Sequence, residues 1–195
     1  MTTSHAAATD TPNRLAPKPF RRVVIGSKHG KPAVLSDQTT FTRYEALPDF
    51  SNTLIWQTPS VPKVGSHELA QDPVPQVTNF LPPVGGTSFM IVNFPPDSQM
   101  GRPDFDGAAF GAEVGGKVPG LAQTFEAEDP AMHTTDTVDY GVVLEGEIWL
   151  DLGEEEIHLK KHDIVIQNGA RHGWRNKGDA SVTMLFVLIG AERQA

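Results

Sequence analysis

The chain is expected to fold as an all-β sandwich or barrel of short strands, and three observations point there. Its 195 residues hold 18 glycines and 16 prolines, a composition that suits many turns better than long helices. Through the C-terminal half, turn signals recur about every 8 to 12 residues. Between them, short runs alternate apolar and polar side chains, the pattern of strands with one buried face.

The elements follow in order. Residues 1–19 are small and polar, with Pro12, Pro17 and Pro19, and read as a disordered tail or an arm for a partner subunit. Residues 20–96 supply the first strands. Arg21–Ile25 is closed by Gly26, Gly30 and Lys31 form a turn, and Ala33–Leu35 returns. Thr53–Gln57 is another strand, followed by a proline-rich stretch to Pro83. Thr87–Phe94 is stopped by Pro95 and Pro96. Residues 97–131 are expected to be a long glycine-rich loop or lid. The Glu126, Glu128 and Asp129 cluster at its end reads as a solvated acidic loop, against a role in gating substrate.

Residues 132–190 carry the most regular pattern. Val138–Leu144 is a strand, turned by Glu145 and Gly146, and Glu147–Leu152 returns. Ile157 and Leu159 share a face, Lys160–Asp163 turns, and Ile164–Ile166 is short and apolar. Asn168 and Gly169 make a tight turn. Ser181–Ile189 is almost wholly apolar and is expected to be buried on both faces.

Several functions are disfavoured at once. A net charge of −8 does not provide a nucleic-acid footprint. The chain has no cysteine, so disulfides, thiolate metal sites and a cysteine nucleophile are excluded. The apolar run Val182–Gly190 is too short to span a bilayer as a helix. The N-terminus lacks a basic segment followed by an apolar one, which gives a cytoplasmic expectation. No Walker loop, dinucleotide fingerprint or G-x-S-x-G elbow is present.

Chemistry gathers around His133, Thr135, Asp139 and His172. His133 and Asp139 would stand roughly 20 Å apart on a straight strand. A shared site therefore requires a chain reversal, for which Asp136 and Thr137 have turn chemistry. After it, Asp139, Gly141 and Val143 would face one way, and Val138, Tyr140, Val142 and Leu144 the other, with Tyr140 in the core. Trp174, two residues beyond His172, would point into the same site, where it could stack on a substrate or simply fill core. Arg175 would face outward, and Asn176 would tie down the turn at Lys177–Asp179. His158 and His162 are four apart but fall on a strand and its turn, a poor metal pair. Glu154–Glu156 reads as a solvated hairpin tip.

These residues resemble the two motifs of the cupin superfamily. The first motif, H-x-H, three or four residues, E, six residues and G, is matched by His133, Thr135, Asp139 and Gly146. The second is matched by His162 in place of its first glycine, the Asn168–Gly169 turn, His172 and Asn176. DYGVVLEGEI and HGWRN are similar to single-domain cupins without an assigned reaction. The resemblance covers residues 132–190 most strongly, and RRVVIGSKHGK and the Leu54–Trp56 region more weakly.

The resemblance implies a double-stranded β-helix, or jelly-roll, barrel with N-terminal extension strands, working as a homodimer on a small molecule. It departs from the family at Thr135, a poor metal ligand in a histidine position, and at Asp139, one methylene shorter than glutamate. The remaining set, His133, Asp139 and His172, could hold a divalent iron, manganese, nickel or zinc ion with open positions for substrate. The alternative is a metal-free pocket in which Asp139 and His172 act as an acid/base pair. In the metal reading, Glu126, Glu128 or His67 could replace the missing ligand. Thr135 and Trp174 are expected to contact substrate. Two functions stay open: an enzyme acting on an organic acid, enol or phenol (oxygenase, decarboxylase, isomerase or lyase), and a non-catalytic small-molecule binder.

Overall fold

The computed structural model describes residues 16–59, 61–64 and 71–194. The possible arm at residues 1–15 and His67 lie outside them. Ten strands form among the described residues: β1 (Phe20–Lys28), β2 (Lys31–Thr40), β3 (Ser51–Thr58), β4 (Thr87–Phe94), β5 (Thr137–Glu145), β6 (Glu147–Asp151), β7 (Glu156–Lys160), β8 (Ile164–Asn168), β9 (Gly173–Arg175) and β10 (Val182–Gly190). One α-helix, α1 (Gly107–Lys117), joins them.

The strands pair antiparallel in three sheets. β1 and β2 form a hairpin that pairs with no other described strand. A five-stranded sheet runs β3-β4-β10-β5-β8, and a three-stranded sheet runs β7-β6-β9. The all-β expectation holds, with β3 and β4 completing the larger sheet.

Alternation explains how the two larger sheets meet. On β5, Thr137, Asp139, Gly141 and Val143 face inward while Tyr140 is 44% exposed. The two-face reading of this strand is therefore right, but its outer face is open, so Tyr140 is not a core residue. β10 alternates fully buried and half-buried residues instead of being buried on both faces, because its neighbours cover only one side. Val143, Met184 and Val182 meet Ile148, Leu150 and Leu159 of the smaller sheet in the core. On the edge strand β8, Val165 and Gln167 turn in, while Ile164 and Ile166 are exposed.

The segment expected as an irregular loop contains α1. Asp106 caps the helix, its carboxylate accepting from Ala109 N at 2.9 Å. Glu113 accepts from Lys117 Nζ one turn later at 2.7 Å, and also from the backbone N–H groups of Glu45 and Ala46, pinning the helix to the chain before β3. These bonds hold the Glu113 carboxyl down at about 2, with the Lys117 hydrogen bond the largest cause.

Two turns explain motif positions. Gly146 has φ 83°, and an added Cβ would sit 3.1 Å from Ser181 O, so this hairpin requires glycine. His162 stands where the resembled motif has glycine, and it too takes a left-handed φ of 76°. A side chain is strained there by about 1–2 kcal/mol. His162→Gly is thus expected to stabilise the fold by about 0.5–1 kcal/mol after the added freedom of the unfolded glycine. Urea melts check this, and a lowered midpoint would contradict it.

Candidate active site

A cavity of about 630 Å³ opens inside the barrel, walled by both larger sheets and by α1. Much of its lining is apolar and aromatic: Phe50, Phe94, Phe105, Phe110, Phe125 and Phe186. Its polar groups include His133, Thr135, Asp139, Gln167, His172 and Asn52, with Arg175 and Asp129 also in the wall. All the residues singled out in the sequence as catalytic or substrate-contacting therefore share one cavity.

Backbone pairing brings the two histidines together. His133 N donates to His172 O at 2.9 Å, and His172 N returns the bond to His133 O at 3.0 Å. A bend at Asp136 then passes the chain from this bridge into β5 of the larger sheet. The imidazole centroids lie 4.2 Å apart. Each ring turns Nδ1 to a main-chain carbonyl, Ala131 O at 3.2 Å for His133 and Ala170 O at 2.9 Å for His172. A carbonyl only accepts, so Nδ1 carries the proton and Nε2 is left as the basic nitrogen of a neutral ring.

Burial sets the charges. It lowers His133 to about 4, helped by the neighbouring His172, and it lowers His172 as well. Burial raises Asp139 to about 6, only partly countered by a hydrogen bond from the Thr137 side chain. The Thr135 hydroxyl lies 2.8 Å from that of Thr137, so Thr135 shapes the floor through its neighbour. Trp174 meets His172 edge-on at 5.9 Å and packs on Phe186 at 5.3 Å, filling core and lining the cavity together.

His133 and His172 suit a divalent ion, each with its distal nitrogen anchored as ligating imidazoles require. Asp139 does not join them: among the described residues no group of three or more histidines, aspartates or glutamates is placed to hold an ion. The three-donor set does not fit as it stands. Nor is Glu126 free to complete it, because Arg171 holds its carboxylate at 2.6 and 2.7 Å. Glu128 is exposed. His158 stacks on Trp149 at 4.3 Å and bonds Glu147 at 3.0 Å, so its contacts are with neighbouring side chains of the small sheet.

Arg175 is not an outward surface residue. It donates to Asp151 at 3.0 Å and to Asp129 at 2.6 Å, so Asp129 is bound up in an ion pair at the cavity wall. Asn176 does what its position suggested: its Oδ1 accepts from Gly178 N at 3.1 Å. It also binds the Phe94 and Ala180 carbonyls. Gln167 and Asn52 are site residues the sequence did not flag. Gln167 alternates with Val165 across from Asp139 and Gly141, the one signal that could have placed it inside.

The sequence comparisons agree with this architecture. Phomopsin biosynthesis cluster protein C' of Diaporthe leptostromiformis is 41% identical over 81 residues, 40% of this chain and 42% of that protein. The cupin-domain-containing oxidoreductase fogC of Aspergillus ruber is 37% identical over 79 residues, 38% of each chain. The chain thus matches about two fifths of the length of these curated relatives. Among solved structures, a Cupin 2 conserved barrel domain protein from Salinispora arenicola CNS-205 superposes with a TM-score of 0.37 at 11% identity, over 73% of this chain and 77% of that one. Residues 123–188, from the turn before the histidine pair through most of β10, match the Cupin_2 family, described as a cupin domain, so this part of the chain carries a cupin domain.

Proposed function

We propose that the protein is an enzyme that moves protons on a small enolisable or phenolic molecule held in the barrel cavity. The observation that carries this is the pairing, in one largely apolar cavity, of neutral imidazoles with a carboxyl group that burial keeps protonatable near pH 6. His172 Nε2 would take a proton from an acidic C–H or O–H. Asp139 would give one to the oxygen where charge develops, and burial would keep both imidazoles neutral. A neutral base and a protonatable acid in one water-poor cavity are the arrangement that general acid–base catalysis needs. Isomerisation or lyase chemistry fits this pair best.

The names of the Aspergillus ruber and Hypocrea virens relatives, both cupin-domain-containing oxidoreductases, support a second reading, oxidation of the same substrate class. Redox chemistry would need a partner such as iron. One experiment separates the readings. The α-proton exchange of 2-tetralone in deuterium oxide is followed by NMR, with chelator present and with added iron(II) or manganese(II). Acceleration that survives chelation and falls at least about 100-fold in His172→Ala supports proton transfer. Exchange no faster than in buffer would sink that reading, and stoichiometric iron with oxygen-dependent substrate loss would favour the second.

A further inference from the structure

Three buried polar atoms in the cavity wall have no hydrogen-bond partner: Asp139 Oδ1, Gln167 Nε2 and Asn52 Oδ1. These residues are only 7%, 6% and 7% exposed. Leaving such a group unpaired costs about 1–3 kcal/mol, and three facing one cavity point to something that completes them.

Two of the three are neighbours. Asp139 on β5 is paired in register with Gln167 on β8. Residues directly opposite on one face of an antiparallel pair have Cβ atoms about 4.5–5.5 Å apart. Asp139 Oδ1 and Gln167 Nε2 could satisfy each other, yet neither has a partner. Side by side they offer one acceptor and one donor to the cavity. Asn52 lies on β3, three strands from β5 in the sheet order, or about 14 Å along the wall at about 4.8 Å per strand. The space between is lined by Met90, Val92, Phe186 and Leu188.

The charges nearby narrow the ligand further. Among the described residues lining the cavity, Arg175 is the one lysine or arginine, and Asp129 and Asp151 already hold it. A carboxylate beside Asp139 would find no free cation, and burying an unpaired charge is far costlier than burying a hydrogen-bonded neutral group.

Resting on the reading of this cavity as a small-molecule site, we propose that Asp139 and Gln167 form a specificity subsite for a neutral ligand. Its recognised group is a carbonyl standing beside an O–H or N–H, as in an enolised dicarbonyl or an amide, on an aromatic or other apolar body. The carbonyl oxygen accepts from Gln167 Nε2, and the adjacent O–H or N–H donates to Asp139 Oδ1. Of the substrates the family resemblance allowed, enols fit this subsite and organic acid anions do not.

The test is equilibrium binding to the full chain at pH 7.5, read by quenching of tryptophan fluorescence. Three probes share one body: 2-naphthamide, 2-naphthoate and 2-methylnaphthalene. The amide is expected to bind at least about tenfold tighter than the carboxylate, the worth of about one net hydrogen bond. Gln167→Met, close in size and without the donor, is expected to weaken the amide about tenfold and to leave 2-methylnaphthalene within about twofold. A carboxylate that binds as well as the amide overturns the subsite, as does a Gln167→Met variant that leaves the amide unchanged or weakens all three probes alike. If 2-methylnaphthalene binds but the amide gains nothing, the subsite alone fails. If no probe binds, the small-molecule reading of the cavity fails with it.

Discussion

Asp139→Asn is expected to lower the proton-exchange rate by about 100-fold or more while making the protein more stable at neutral pH. Both effects come from one cause. Burial holds Asp139 at about 6, above its ordinary 3.8, so the folded state binds a proton more tightly than the unfolded chain. Stability is therefore greatest below about pH 4 for this group and falls as pH rises through 6. Above that, the ionised carboxylate costs the fold about 3 kcal/mol. Asparagine cannot ionise and should recover about 2 kcal/mol at pH 7.5, with its own hydrogen-bonding needs offsetting the rest. The rate profile carries the same signature. In the native protein it falls on the acid side as His172 protonates, below the usual imidazole range, and on the alkaline side near pH 6 as Asp139 loses its proton. The variant should lack the alkaline limb. Urea melts at pH 5 and pH 7.5, read beside the exchange assay, decide the matter. A variant that is less stable at pH 7.5 and keeps the alkaline limb would show that Asp139 is neither strained nor catalytic.

The second large effect is structural. Asn176→Ala should destabilise the protein by about 3 kcal/mol. Asn176 is 1% exposed, and its amide ties the end of β4 to the turn before β10 with three bonds: Nδ2 donates to Phe94 O and Ala180 O, both at 2.9 Å, and Oδ1 accepts from Gly178 N at 3.1 Å. Alanine leaves the two carbonyls and the N–H without these bonds, where β4 ends and the turn into β10 begins. The Asp97 carboxylate accepts from the main-chain N–H of Asn176, a bond that survives the substitution. A loss below about 1 kcal/mol would mean that water replaces all three bonds.

Much of this was legible in the sequence, for physical reasons that differ by element. Thr87–Phe94 is bounded by Gly86 and Pro95, and the observed strand has those same ends. His133, Asp139 and His172 were recognisable because turn residues and ligand-type side chains kept register, and all three reach one cavity. Their convergence on a single ion was not decidable from spacing, because it depends on how the two sheets are set against each other. Helix α1 was missed because its glycines imitate a loop, while its capping and tethering bonds come from Asp106, Glu45 and Ala46, just before it and far from it in sequence. Gln167, next to a tight turn, reads as solvent-facing until the register with Asp139 is known.

The glycines of α1 have a kinetic consequence. Gly111, Gly115 and Gly116 lie within an 11-residue helix, and nothing lies within 4 Å of a Cβ added at any of them. Packing therefore does not require their smallness, and each weakens the helix by about 1 kcal/mol relative to alanine. The wall formed by Gly107, Phe110, Gly111, Val114 and Gly115 is for that reason easier to unwind than the barrel behind it. Guest molecules would enter by brief melting of this one element, so that entry speed and grip are set by different parts of the chain: alanine at Gly116, which lies outside the cavity lining, would slow uptake and release together and leave the strength of binding unchanged.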